Sequence, residues 1–245
     1  MLNWFKRSSP SSTPLPVVDL HSHLLAGLDD GVQTIDEAVA IIKEFQSLGY
    51  KRLFTTPHVM SDFYRNTPEG IMSALSLLRA ELKEQAIPMD IYAAAEYYLD
   101  EGLMTKVQQK EKLLTLGDQY LLFETNFMTE PLNLKEFIFA LQTSGYRPIL
   151  AHPERYLFLQ NDMDKVEDLF NRGVLFQLNI SSLSGYYSKG AQQLANKLVS
   201  KGWVHFIGSD CHNMKHMELL KQAVRQSNFQ KVLNLPLLNN HLLEA

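Results

Sequence analysis

The sequence predicts an α/β fold of parallel strands, a barrel closed from about seven of them. Three observations carry this prediction. Short β-rich runs alternate with amphipathic stretches along nearly the whole chain. Strand–helix alternation with short turns implies parallel strands and right-handed crossovers. The stretches leave through a repeated Gly-centred exit, and 245 residues suit one α/β barrel. An open doubly wound sheet is the alternative. Its dinucleotide-binding version has no support, because no G-x-G-x-x-G follows the first run.

In chain order, the strand-like runs are 17–21, 52–56, 91–96, 120–124, 148–152, 174–179 and 205–210. In the first intervening stretch, Ile35, Ala38, Val39, Ile42 and Phe45 fall on one helical face. Thr34 and Glu37 have capping-box spacing at its start. Thr67 followed by Pro68 reads as N-cap and first residue of the next helix. Asn133 and Glu136 open another in the manner of Thr34 and Glu37. The exits LGYKRLF, SGYRPIL, RGVLFQL and KGWVHFI place Gly49, Gly145, Gly173 and Gly202 just past helix ends, where a left-handed residue stops the helix. Residues 1–16 read as a flexible tail and 17–245 as a single domain. Trp4 and Phe5 beside Lys6 and Arg7 give that tail an alternative use, touching a partner or membrane surface. The leucine-rich end from Val232 to Leu238 is expected to pack on the barrel, with a second chain as the alternative.

Composition narrows the function. Hydrophobic residues make up 45% and charged residues 20%, which excludes global disorder. The net charge of −4 offers no basic excess for nucleic-acid phosphates. One cysteine excludes a disulfide framework and a cysteine-rich zinc site, and suits a reducing, cytoplasmic compartment. No apolar run is long enough to span a membrane, and the N-terminus lacks a signal-peptide core.

Chemistry concentrates where parallel α/β folds keep it, at the C-terminal ends of the strands. The ends read Asp19-Leu20-His21-Ser22-His23, Thr56-Pro57-His58, Ala95-Glu96-Tyr97, Phe123-Glu124-Thr125, Ala151-His152-Pro153-Glu154-Arg155 and Ser209-Asp210-Cys211-His212. Six of the seven ends thus carry imidazoles or carboxylates, and five of the eight histidines fall there. In His21-x-His23 and Asp210-x-His212, alternate residues of an extended strand point the same way, so both members of a pair can reach one cavity. Imidazole with carboxylate and no thiolate suits Mn, Fe or Zn in a hydrolytic site. Four carboxylates exceed the needs of one ion, so two or three ions with a bridging carboxylate are expected.

Thiol and serine designs fail. A C-x5-R phosphatase loop needs Arg six residues after Cys211, where Met217 stands. No G-x-S-x-G elbow occurs. Cys211 lies between two inward-pointing residues and is expected to face outward as a small apolar residue.

With DLHSHLLAGLDDG, TPH, AAAEYYL, LLFETN, AHPERY and GSDCHN on the page, the chain resembles the PHP (polymerase and histidinol phosphatase) superfamily. More closely it is similar to the bacterial manganese-dependent tyrosine-protein phosphatases of capsule and exopolysaccharide clusters, the CpsB/YwqE type. The resemblance runs from about Val17 to near the C-terminus. HxH and DxH mark only the superfamily; DDG, AEYY and AHPERY are more specific. The resemblance implies a distorted (β/α)7 barrel of TIM type with a trinuclear site. His21, His23, Glu96 and Asp210 would hold one ion. Glu96 would bridge to a second, also held by Glu124 and His152. Asp30, His58 and His212 would hold the third, with Asp29 as the alternative to Asp30. Arg155 matches the family's catalytic-site arginine. Relatives can carry a further Arg after DxH; here Lys215 is the nearest cation, and His216 is expected to be a loop residue rather than a ligand.

Three divalent ions and Arg155 would outweigh the four carboxylates, making a positive trap for a phosphate dianion. A phenolate leaves with less acid assistance than an alkoxide, which favours aryl phosphates. The resemblance therefore implies a metal-dependent protein tyrosine phosphatase, with manganese ahead of iron or zinc. Its implied substrate is a tyrosine autokinase that controls polysaccharide synthesis or export. A histidinol-phosphatase-like phosphoesterase and a non-catalytic metal-binding PHP module are the alternatives.

Overall fold

The β-rich runs become strands in a computed structural model that describes residues 17–243. The expected tail, residues 1–16, lies outside the described residues. The strands are β1 (Val18–Asp19), β2 (Arg52–Thr55), β3 (His58–Val59), β4 (Asp90–Ala93), β5 (Glu96–Tyr98), β6 (Tyr120–Glu124), β7 (Arg147–Ala151), β8 (Leu175–Asn179) and β9 (Phe206–Gly208). All pairings are parallel, in the orders β1-β2-β4 and β3-β5-β6-β7-β8-β9.

Four of these strands are halves of two longer ones, β2 with β3 and β4 with β5. Thr55 lies opposite Ala93 and His58 opposite Glu96, so the register of β2 on β4 continues unchanged into β3 on β5. Between the halves, Ala94 N–H donates to Thr55 O at 3.0 Å and Glu96 N–H to Pro57 O at 3.2 Å. Pro57 has no N–H to give, which interrupts the ladder without breaking the strand. The ring then closes. Ser22 and Cys211 form a parallel bridge. His23 N–H donates to Cys211 O at 2.9 Å, and Asp210 N–H to His21 O at 2.8 Å. First and last strands are thereby joined, and seven parallel strands encircle one interior, in agreement with the sequence.

Two apolar layers follow from the alternation of side chains. Val18, Leu20, Phe54, Ala94, Leu122, Ile149, Ala151, Leu175 and Phe206 fill the barrel. The opposite strand faces meet the helices α1 (Ile35–Ser47), α2 (Pro68–Glu84), α3 (Glu101–Gln108), α4 (Leu134–Thr143), α5 (Leu157–Gln160), α6 (Met163–Asn171), α7 (Lys189–Lys201), α8 (Met214–Ala223) and α9 (Ser227–Leu233). The leucine-rich end packs as expected. Val232 is buried in the outer layer, and Leu242, from a 3-10 turn over Asn239–Leu243, plugs the bottom of the barrel.

Helix starts follow local chemistry in two cases of three. Thr34 and Glu37 form the reciprocal capping box. Thr67 caps α2 with Pro68 in the first turn. Asn133 does not cap with its side chain: its backbone sits at φ −101°, ψ 14°, and Leu134 N–H turns back to Pro131 O at 3.2 Å. The turn from Pro131 holds Asn133 out of the extended conformation that an N-cap side chain needs. Gly49, Gly145, Gly173 and Gly202 all take positive φ, as the exits require.

Candidate metal centre

The barrel mouth gathers its polar side chains by departing from regular strand geometry three times. In β1, Val18 and Leu20 face the interior, so His21 and His23 should face away. The hydrogen bonds give the reason they do not. Arg52 N–H donates to Val17 O and Thr56 N–H to Ser22 O. The first chain spends five residues where its partner spends four. One extra residue is a β-bulge, and it turns the imidazoles inward. After β7, His152 adopts φ 34°, ψ 57° immediately before Pro153. That left-handed turn aims it at the interior beside Ala151. After β9, Asp210 adopts φ 51°. Left-handed backbone at non-glycine residues costs of order 1–3 kcal/mol each and persists where surrounding structure imposes it.

The resulting arrangement is tight. His21 Nε2 lies 3.2 Å from His23 Nε2, 3.2 Å from Glu96 Oε2 and 3.4 Å from Asp210 Oδ1. His23 Nε2 lies 3.5 Å from Glu96 Oε2 and 3.4 Å from Asp210 Oδ1. Glu96 Oε1 faces His152 Nε2 at 3.0 Å. Asp30 Oδ1 stands 3.4 Å from His58 Nε2 and 3.5 Å from His212 Nε2. His58 Nδ1 lies 3.1 Å from Glu96 Oε2 and 2.9 Å from Glu124 Oε1, so His58 stands between the second and third groups. Donors that share one ion at about 2.1 Å sit about 3.0–3.4 Å apart. The spacing fits metal binding.

Partners outside the centre fix the histidines. His21 Nδ1 donates to Gln177 Oε1 at 2.8 Å, and His23 Nδ1 to Asp29 Oδ2 at 2.7 Å. His212 Nδ1 donates to the Asp210 carbonyl at 3.0 Å. Each bond turns Nε2 toward carboxylate oxygens, so that a neutral ring would offer its lone pair there. Lone pairs converging in a buried space call for a cation between them. Buried Glu96 Oε2 has no hydrogen-bond donor. The two aspartates divide their work. Asp30 reaches His58 and His212, whereas buried Asp29 also accepts from Gly31 N–H and His58 N–H. Gly31 itself is a steric requirement, because a Cβ there would strike the His23 backbone.

Against burial, the facing carboxylates raise His21, His23 and His58, so in the ion-free chain protons on these imidazoles take the place of the cations. Burial opposes ionisation of Glu96, yet His21 and His58 hold it well below the usual carboxylate range. Asp210 is held low in the same way by His21 and His23. Burial and the nearby Arg155 lower His152 to about 4, so it is neutral at pH 7. Burial raises Glu154 to about 7. Its Oε1 accepts from Ser182 Oγ and Asn179 N–H, tying the 3-10 turn Pro153–Arg155 to the end of β8.

Above these groups lies a cavity of about 400 Å3, lined by Asp30, His58, Glu96, Glu124, His152 and Arg155. Arg155 Nη1 donates to Asp210 Oδ2 at 2.8 Å. Every site residue expected from the sequence therefore meets at one mouth. His216 differs from expectation. It lies in the first turn of α8, lines the cavity, and its Nδ1 is 3.2 Å from the Asp210 carbonyl. The short loop after His212 ends at the Asn213 cap, which brings His216 back over the centre. Lys215 points instead to the Tyr186 ring, at 5.8 Å. Cys211 is fully buried in the outer layer, with its thiol pushed up by burial. Sequence reasoning missed Gln177, Asn179, Phe127 and Tyr187. The sixth strand end carries no imidazole or carboxylate, and nothing else in the sequence marked its amides.

Comparison with known proteins fits this geometry. The family model for capsular polysaccharide synthesis, CpsB/CapC, matches residues 17–228. CapC of Staphylococcus aureus is 31% identical over 207 residues, spanning 84% of this chain and 81% of that protein. The tyrosine-protein phosphatase YwqE of Bacillus subtilis is 28% identical over 200 residues, 81% and 78% of the two chains. A crystal structure from work on YwqE of Bacillus subtilis and CpsB of Streptococcus pneumoniae, described there as metal-dependent tyrosine phosphatases, superposes with a TM-score of 0.79. It is 25% identical and covers 92% of this chain and 94% of that one. Histidinol phosphate phosphatase of Lactococcus lactis shares the fold alone, at 13% identity and a TM-score of 0.50 over 84% and 93% of the chains. With its motifs in order around one barrel mouth and the family's model matched over most of its length, the chain belongs to the CpsB/CapC family of capsular polysaccharide synthesis.

Proposed function

We propose that this chain is a metal-dependent protein tyrosine phosphatase acting in capsule or exopolysaccharide synthesis. The observation that carries the reading is the convergence of the His21 and His23 Nε2 lone pairs on the carboxylates of Glu96 and Asp210. In this reading His21, His23, Glu96 and Asp210 would hold one ion, Glu96 with Glu124 and His152 a second, and Asp30, His58 and His212 a third. Asp29 serves as the outer partner of His23, a role supported by its 2.7 Å bond. The donor set favours manganese, with iron or zinc as the other candidates. Residues 17–245 act as one domain, supported by strands shared between both apolar layers. A cytoplasmic place accords with Cys211 staying a free, buried thiol.

The bound ions supply positive charge for the phosphoryl oxygens and acidify the attacking water. The protein does the rest. Arg155 offers in-plane N–H donors to two phosphoryl oxygens, a grip that tightens as charge builds in the transition state. Gln177, Asp29 and the Asp210 carbonyl hold the histidines in one tautomer. Water attacks phosphorus in line and gives up a proton to solvent, the bond from phosphorus to the phenolic oxygen breaks, and tyrosine leaves as a phenolate that takes a proton from solvent. The substrate fits a phosphotyrosyl protein, and a tyrosine autokinase of polysaccharide export is the partner we infer.

The test is a side-by-side rate measurement on a phosphotyrosyl peptide, histidinol phosphate and a nuclease substrate, with and without Mn2+. Mn2+-dependent turnover fastest on the peptide supports the reading. Preference for histidinol phosphate would replace it with a small-molecule phosphoesterase, and no turnover by metal-loaded protein would leave a binding module.

A further inference from the structure

The sixth strand end carries none of the expected ligands, yet the loop beyond it reaches the centre. A 3-10 turn over Ile180–Ser184 ends at Gly185, whose φ of 82° turns the chain back. Ser188 then caps α7. Tyr186 and Tyr187 are a two-residue crossing between those fixed points. The Tyr187 ring lies under the Arg155 guanidinium, 4.2 Å from centroid to Cζ. The Phe127 ring, in the loop after β6, also packs against that guanidinium, at 4.7 Å. Arg155 thus has two aromatic rings beside it, and its Nη1 is taken by Asp210.

Asp210 shows why the contact matters. Its Oδ1 faces His21 and His23. Its Oδ2 accepts from Arg155 at 2.8 Å, Asn179 Nδ2 at 2.9 Å and the Tyr187 hydroxyl at 3.5 Å. The Tyr187 hydroxyl accepts in turn from Asn179 Nδ2 at 3.0 Å. An arginine held by rings on its π system keeps its remaining N–H donors in plane, at the edge that faces the cavity.

We infer that Tyr187 is a positioning residue for the phosphatase reaction: its ring, with that of Phe127, fixes Arg155 in the pose that grips the phosphoryl group. The inference rests on the phosphatase reading above. Tyr187 need not touch the reacting atoms, so its effect should pass through Arg155 and vanish when Arg155 is gone.

The experiment is a double-mutant cycle on Mn2+-loaded full-length protein with a phosphotyrosyl peptide, with metal content and Tm measured on the same samples. Tyr187→Leu should lower kcat/KM about tenfold, as expected for losing a desolvated cation–π contact. Tyr187→Phe, which keeps the ring, should recover most of that loss. In the Arg155→Ala background, Tyr187→Leu should cost less than about twofold more, because the two act as one unit. Metal content should stay at the wild-type level. A wild-type rate for Tyr187→Leu, or its full cost persisting without Arg155, would overturn the inference. If Tyr187→Leu fails to fold, the same cycle with Tyr187→Met, which keeps an unbranched apolar side chain without the ring, decides the point. Normal turnover by Arg155→Ala alone would instead bring down the role given to Arg155 in the proposed function.

Discussion

Glu96 faces more of the centre's histidines than Asp30, Glu124 or Asp210 does. Its two oxygens face different histidines, Oε1 toward His152 and Oε2 toward His21, His23 and His58. Glu96→Ala should therefore lose bound metal and activity together; full metal content with normal turnover in elemental analysis and kinetics would refute its bridging role. Arg155 is predicted to act differently, on the phosphate rather than on the metal. Removing one electrostatic donor from a phosphoryl site should lower kcat/KM roughly 100- to 1,000-fold. Metal content should hold, and Arg155→Lys should recover only part, because the charge survives and the fork does not. Cys211 is the control: buried and pointing away, it should tolerate Cys211→Ser with most activity kept. A dead but folded and metal-loaded Cys211→Ser would reopen a thiol mechanism.

At the scale of elements, the site is a product of interruptions. The bulge in β1 turns the two histidines inward, and the left-handed turn at His152 does the same after β7. The loop leading from β1 into α1 must then pass close to His23. Gly31 makes that possible, since any Cβ there would meet the His23 backbone. Gly31→Ala should displace the segment, pull Asp29 off His23 and Asp30 off His58, and lower metal affinity more than global stability. Metal titration beside thermal melting checks this, and unchanged affinity would contradict it. By contrast, Thr34→Ala removes only the cap of α1. It should cost about 1 kcal/mol of stability with kcat/KM untouched.

For the whole molecule, two ends hold the ring closed. At the top, Ser22 bridges Cys211, and buried Asp19 accepts from Ser209 N–H and Oγ–H at 2.8 Å each. At the bottom, Asn239 accepts from Ile207 N–H and donates to Val18 O and Ile207 O, stitching first strand to last. Asn239→Ala would leave buried backbone groups unpaired at about 1–3 kcal/mol each. Its Tm should fall, while kcat of the folded fraction stays near wild type. Metal binding adds to stability from the other end. Ions that bind the folded centre and not the unfolded chain raise Tm by mass action. Chelation should lower Tm for wild type and have far less effect on Glu96→Ala; an equal drop in both would place the stabilising ions elsewhere.

Periodicity, caps and glycine exits determined the seven strands and the helices between them, because those signals are local and each residue carries its own. The make-up of the centre was legible for the same reason: imidazoles or carboxylates stand at six of the seven strand ends, and a parallel barrel brings all such ends together. Asp29 and Asp30, adjacent in sequence and identical in type, could be told apart only by the fold, which hands one to the His23 ring and the other to His58 and His212. The inward aim of His21 and His23 also needed tertiary structure, since a bulge is visible only as a mismatch against the neighbouring strand. His216 returned to the cavity because α8 starts at once after the loop, a matter of where a helix axis points. Gln177, Asn179, Phe127 and Tyr187 carry no metal-ligand signature, and they act through partners far away in the chain. Local pattern therefore marked the imidazoles and carboxylates that meet at the barrel mouth, and packing across the barrel decided how each of them is held.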